Sequence, residues 1–424
     1  MFAMIRLTEM LRIFCLLAAV AAWGQQGRPD PVFDKVPFDE WLKGEGESRI
    51  RWTLHIAPPR LTAHQRLSAS ISVEIDGNEF VKRKPAKLVV FLEVRDEANR
   101  VYRTHSAMDF DLLKAPRELA TAGMDQTAFF VPGDYRVAVA VYDVQSKEHA
   151  AKQVKLHIAD LPKDPLPEMW RDLPPVEFVG SKDAPERWFL PEISSRLRLQ
   201  VRTARPVRVD VLVNESPTER AVQSAGRVTR RNMGNLIPAL KVLTQMEIQL
   251  GTVNVALLDL ERRKVSFEQD NAGTLDWVRL KDALRENDPN TINVKALEHH
   301  EQNAQFFISE VRKRLEANRD GALIVLSGPM AFPKGQDLRP IEAAPGTKVF
   351  YVRYFPPMGF PMGFVGHGGS NVGPPAPIPG RGHSMEDSLA GTLKPLSPRR
   401  FDVSTPAEFR AALAAIMSEL SQLK

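Results

Sequence analysis

Cysteine is almost absent from this chain: Cys15 is the only one among 424 residues. It lies in the apolar run Ile13-Phe14-Cys15-Leu16-Leu17-Ala18-Ala19-Val20-Ala21-Ala22, which follows Arg6 and Arg12 and ends at Ala22-Trp23-Gly24. A basic start, an apolar stretch of about 10 residues and a small-x-small exit describe a cleavable export signal, here over residues 1–24. With that segment removed the chain would hold no thiol, which excludes disulfides, cysteine nucleophiles and thiolate metal sites. Long apolar runs are missing too. The signal falls well short of the roughly 20 residues a membrane span requires, so no stable span is expected after cleavage. The expected location is periplasmic or secreted.

Strong charge of one sign is also lacking. A formal net charge of +5 over 424 residues describes a solvated surface. The densest basic run, Lys82-Arg83-Lys84-Pro85-Ala86-Lys87, contains no aromatic side chain. No nucleic-acid partner is expected from such a pattern. Proline, in contrast, is plentiful, at 33 residues, above the usual share of about 5%. The chain is also too long for one hydrophobic core, so at least two domains are expected.

Residues 49–158 follow a period of two. Leu67-Ser68-Ala69-Ser70-Ile71-Ser72-Val73-Glu74-Ile75 alternates cleanly and ends at the turn Asp76-Gly77-Asn78. Leu88 to Val94, Tyr135 to Tyr142 and Val154 to Ile158 are further strand-like runs. Half-buried strands separated by turn signals predict an all-β, immunoglobulin-like sandwich. Pro132-Gly133-Asp134-Tyr135 reads as the turn that starts a late strand, with Tyr135 in a structural corner. Residues 159–194 hold seven of the prolines, together with Trp170 and Trp188. They predict an extended linker packed along a domain face by its tryptophans.

From residue 195 onwards strands and helices alternate. Val207 to Val213 and Val253 to Leu260 read as strands, with Lys264 to Gln269 as the hairpin partner of the second. Leu323 to Leu326 and Val349 to Val352 are short and nearly all apolar, as strands buried on both faces should be. Met233, Leu236, Ile237, Leu240, Leu243 and Met246 recur at helical spacing, and Gly251 is expected to close that helix. Ala304, Phe307, Ile308, Val311 and Leu315 predict a second helix. Thr405-Pro406-Ala407-Glu408 predicts a capped start for a last one. The result is an α/β domain over 195–424 with a mostly parallel sheet.

In such a sheet the loops after the strands share one rim, where ligands usually bind. Asn214-Glu215-Ser216-Pro217-Thr218 follows the first strand and offers side-chain oxygens at 214, 216 and 218, with Glu215 expected to turn away. The strand order, with its antiparallel hairpin after the first helix, resembles the von Willebrand factor type A fold. That family's metal site uses Asp-x-Ser-x-Ser after the first strand, a threonine from a second loop and an aspartate from a third. By that resemblance Asn214, Ser216 and Thr218 would hold the first position and Thr291 the second, while Gly328 stands where the last acid would be. With the preceding sandwich and linker, the chain resembles type A-related proteins of acidobacteria. Both expected carboxylates are replaced, and hard divalent cations prefer several anionic oxygens. No cofactor is therefore expected. The competing reading is a metal-dependent adhesin or hydrolase with one Mg²⁺ or Mn²⁺ at this loop.

Other motifs give no reaction chemistry. Glu298-His299-His300-Glu301 lacks the spacing that puts two histidines on one helical face. Ser216 sits in no Gly-x-Ser-x-Gly elbow, and Gly366-His367-Gly368-Gly369 joins no strand to a helix. The Gly/Pro-rich insertion over 355–399 carries a doubled Pro-Met-Gly-Phe, at 357–360 and 361–364. Met358, Phe360, Met362 and Phe364 are the expected contacts to an unidentified protein partner, since adaptable Met and aromatic groups suit such surfaces. The expected function is non-enzymatic protein interaction or adhesion through the rim of a degenerate type A domain.

Overall fold

The computed structural model describes residues 31–44, 50–82, 87–109, 122–179, 195–216, 236–286, 302–332, 340–342, 346–355 and 387–423. The expected export signal lies outside them. The described residues fall into two compact units. One holds those up to Arg60, Leu67–Pro162 and those from Leu173 to 179; the other holds Leu61–Arg66, Lys163–Asp172 and all from 195 onwards.

The first unit is sandwich-like. Its strands are β1 (Trp52–Ile56), β2 (Arg60–Leu61, whose second residue already counts with the other unit), β3 (Leu67–Ile75), β4 (Lys87–Arg95), β5 (Val101–Asp109), β6 (Ala122–Phe130), β7 (Gly133–Asp143), β8 (His149–Ile158) and β9 (Val176–Phe178). They form two antiparallel sheets, ordered β1-β3-β6-β9 and β5-β4-β7-β8. Alternation in β3 works as its sequence implies: Leu67, Ala69, Ile71, Val73 and Ile75 are all buried. The turn expected at Asp76 instead opens a helix, Gly77–Lys82. Asp76 starts it, its Oδ1 accepting the Asn78 amide at 2.9 Å. Tyr135 does make a corner, its hydroxyl donating to the carbonyls of Val131 at 2.8 Å and Pro175 at 3.2 Å. In β7 alternation fails, because Ala138 and Ala140 are buried as fully as Val137, Val139 and Val141. The extra cover comes from residues 31–44, which hold a 3-10 turn and α1 (Phe38–Trp41).

The second unit has a mixed, mostly parallel sheet with helices. Beside a two-stranded sheet of β10 (Leu199–Val201) and β12 (Met246–Ile248) run β11 (Val207–Asn214), β13 (Gly251–Asp259), β14 (Lys264–Gln269), β15 (Ala322–Ser327), β16 (Lys348–Tyr354) and β17 (Arg399–Val403). The order is β14-β13-β11-β15-β16-β17, with β14 antiparallel at one edge and every other pairing parallel. Of the helices, α2 (Gln302–Ala317) packs Phe307, Ile308 and Val311 against Leu212, Leu323 and Val325 of the central strands. The first helix ends earlier than its apolar spacing implies. Residues 236–243 are helical, but Met246 lies in β12, paired with Leu199. Gly251 is not a helix end; it opens β13 where β11 comes so close that a Cβ would stand 2.0 Å from the Val207 carbonyl oxygen.

The final helix, α3 (Pro406–Ser421), starts with the expected capping box of Thr405 and Glu408. Within this unit it is fastened by Arg410, only 2% exposed, whose guanidinium grips both oxygens of Asp164 at 2.6 and 2.7 Å and stacks 4.4 Å over the Trp170 ring. Burial would raise the Asp164 pKa, but the hydrogen bonds from Arg410 and the Leu166 amide, with the arginine charge, outweigh it and hold the carboxyl below its usual range. Trp170 is buried as expected of the proline-rich stretch, and its indole N–H donates to the Gln65 carbonyl at 2.7 Å.

Candidate functional site

Parallel strands end together, so the carboxyl ends of β11, β13, β15, β16 and β17 form one rim. At its centre β11 runs through Val211, Leu212 and Val213 to Asn214, 2% exposed. Asn214 Oδ1 accepts the Ser216 amide at 3.0 Å, which turns the chain out of the strand. Its Nδ2 donates to Ser327 Oγ at 2.9 Å and touches Met330 Sδ at 3.5 Å, both on the segment leaving β15. The Ser327 hydroxyl in turn donates to the Gly328 carbonyl at 2.7 Å. Ser216 Oγ accepts the Leu260 amide at 2.7 Å and so ties this loop to the end of β13. Glu215, expected to turn away, is buried, with its amide on the Leu258 carbonyl.

Of the four oxygen donors expected for an ion, Asn214 and Ser216 are therefore held close together, while Thr218 and Thr291 lie outside the described residues. Asn214 turns its amide nitrogen towards Ser327 and spends its oxygen on its own turn. The partners of these two side chains are the Ser327 hydroxyl, the Met330 thioether and the backbone amides of Ser216 and Leu260. Neither of these two side chains offers the anionic oxygens that hard divalent cations prefer. Among the described residues no three His, Cys, Asp or Glu side chains gather as metal ligands would.

A second polar group at the rim has no counterpart in the sequence expectations. Asp387, whose side chain is 4% exposed, accepts Arg353 Nη1 at 3.1 Å and the Tyr351 hydroxyl at 3.1 Å. The same arginine forms a two-pronged pair with Asp402 of β17, at 2.9 and 3.0 Å. Burial opposes the Arg353 charge, yet both aspartates outweigh it and hold its pKa above the ordinary value. Burial, then the Asp387 charge, push the Tyr351 hydroxyl well above its usual range. Asp387 also caps a short helix (Ser388–Leu393) and accepts the Met330 amide at 3.5 Å. Ser388 closes the contact: its N–H donates to the Met330 carbonyl at 2.7 Å, and its Oγ accepts the Phe332 amide at 2.8 Å.

Arg353 also lies 4.4 Å over the ring of Phe355, whose amide donates to the Val403 carbonyl at 2.8 Å. One guanidinium thus holds Phe355 and Asp387, the two described residues that flank 356–386. The expected partner contacts Met358, Phe360, Met362 and Phe364 lie inside that stretch and outside the described residues. An Asp-Ser pair before an apolar run is a helix-start signal and could have flagged Asp387. Nothing local in the sequence ties it to Arg353.

No family model matches this sequence, and no curated protein matches it. Among solved structures, a structural-genomics target from Bordetella pertussis described as a candidate ApaA protein aligns at 13% identity. It covers 28% of this chain and 98% of its own, with a TM-score of 0.17. A second structural-genomics target aligns at 12% identity over 27% of this chain and 96% of its own, also at 0.17. Likeness at that level carries no argument about function. No helix among the described residues is long and apolar enough to cross a membrane.

Proposed function

We propose that this is an exported, non-enzymatic interaction protein, acting in the periplasm or outside the cell. On this reading its α/β unit is a degenerate von Willebrand factor type A-like domain, its first unit is immunoglobulin-like, and a protein partner binds at the rim. The sheet order, with an antiparallel edge hairpin, agrees with a type A-like domain. The observation that carries the reading is the self-satisfied rim. Asn214, Ser216 and Ser327 direct their polar atoms at one another and at nearby backbone, and the Asp387 and Asp402 carboxylates are matched to Arg353. Such an edge has little to offer an ion or a reacting group, whereas Phe355 and Asp387, the described residues that flank 356–386, stand at it.

The test is a chain lacking residues 356 to 384, with Arg353 and Asp387 kept. Immobilised beside the intact chain and exposed to envelope extract of the producing bacterium, it should lose the partners that the intact chain retains. Retention of every partner by the shortened chain would overturn the reading. A calorimetric titration of Mg²⁺ and Mn²⁺ into the intact chain should be silent. A measured binding heat that Ser216→Ala abolishes would favour the metal-dependent adhesin instead.

A further inference from the structure

The outer face of the β5-β4-β7-β8 sheet would be an apolar surface but for residues 31–44. Phe33, Phe38 and Trp41 are buried on it, against Phe91, Ala138 and Ala140, with Tyr142 and Ala151 at the margin. Phe33 meets Phe91 edge-on at 5.0 Å. The Trp41 indole stacks on Tyr142 at 5.2 Å and on His149 at 4.5 Å. Charge adds to the fit. The Arg103 guanidinium stands 4.9 Å over the Phe33 ring, and Arg95 pairs with Asp39 at 3.0 Å. Both arginines are aimed by Glu93, 1% exposed, at 2.5 and 2.8 Å.

The segment has little order of its own. Its 3-10 turn spans three residues and α1 four, too short to persist alone in water. Backbone hydrogen bonds such as Trp41 N to Pro37 O and Gly44 N to Trp41 O run within the segment. What fixes it is a few aromatic anchors and one exposed ion pair, the usual make-up of a short peptide bound to a folded domain. The sheet beneath is complete without it, since β4, β5, β7 and β8 pair with one another along their full lengths.

We propose that this face is a recognition surface for an acidic, aromatic peptide segment of a partner protein, and that residues 31–44 occupy it in cis as a displaceable stand-in. The bound segment gives the pattern of the ligand: a ring under Arg103, a carboxylate on Arg95 and an indole against Tyr142 and His149. This proposal is independent of the rim. A tethered ligand competes at an effective concentration in the millimolar range, so the intact chain masks the surface and a released one exposes it.

The experiment uses the full chain carrying Phe38→Ser and Trp41→Ser, with a fluorophore-labelled synthetic peptide of residues 31–44 as probe and anisotropy as readout. The released chain should bind the peptide at least about tenfold more tightly than the wild type, and adding Arg95→Glu should weaken that binding several-fold. Equal binding by wild type and variant, or no binding by a variant whose near-ultraviolet circular dichroism is native, overturns the proposal. Self-association of the variant without peptide binding also overturns it, because the occupant is then a second copy. If the double variant fails to fold, Phe33→Ser alone carries the same test.

Discussion

The two ends of the parallel sheet meet the same problem with opposite chemistry. Asp210 and Asn214 lie four residues apart on β11, so their side chains leave the same face of the sheet, and both are 2% exposed. Asp210 is charged and surrounded by donors: Arg208 Nε at 3.0 and 3.2 Å, Asn254 Nδ2 at 3.0 Å and Asn318 Nδ2 at 2.9 Å. Asn214 is neutral and serves hydroxyls and its own turn. A buried carboxylate is tolerable only where donors converge on it. The protein supplies them around Asp210, where they fasten strands, and places a neutral side chain at 214, where no such set of donors converges. The demand common to both positions is hydrogen-bond closure, and charge follows the local supply of donors.

Substitutions can break that contrast, in order of expected size. Asp210→Ala leaves two buried amides and an arginine without their acceptor, and should cost about 3–5 kcal/mol in urea unfolding. Arg353→Met leaves Asp387 buried against Tyr351 with its cation gone, and should cost about 2–4 kcal/mol by the same measurement. Asn214→Asp puts a carboxylate at the rim without new donors, and should lose about 1–2 kcal/mol. Recovery of that loss by millimolar Mg²⁺ or Mn²⁺ would mean that the edge needs only the charge to become a metal site. Glu261→Gln is the smallest. Burial, then the neighbouring Asp259 charge, raise the Glu261 pKa to about 7. Its favourable contribution is present below the ordinary glutamate range and is lost as pH rises through about 7. The glutamine variant should therefore gain on the native chain progressively as pH rises from about 4.5 to about 7 and hold that gain above it, by up to about 1 kcal/mol after screening by solvent. Melting curves at pH 5 and pH 8 check the sign.

What was legible in the sequence was local. The hairpin strand at Lys264–Gln269, the apolar runs of β15 and β16 and the Thr405–Glu408 capping box each carry their signal within a few residues. Asn214 and Ser216 were legible as a rim pair because a strand end is a local event. Met246 misled because its apolar spacing fits a helix, while pairing with Leu199 decided its state. Arg353 and Asp387 are 34 positions apart, and only the topology brings them together. Phe33, Phe38 and Trp41 follow no period, since Pro31 and Pro37 interrupt the segment and its conformation is dictated by the sheet beneath it.

The clasp at Arg353 has a practical corollary. Since Phe355 and Asp387 are gripped by one side chain, the stretch they flank begins and ends at a fixed gap. Where the ends are fixed, chain length is a minor term in closure entropy, about 0.6 kcal/mol for each doubling. The position is therefore a natural splice point: a reporter domain or affinity tag inserted there should ride on the sheet edge while leaving the melting temperature nearly unchanged.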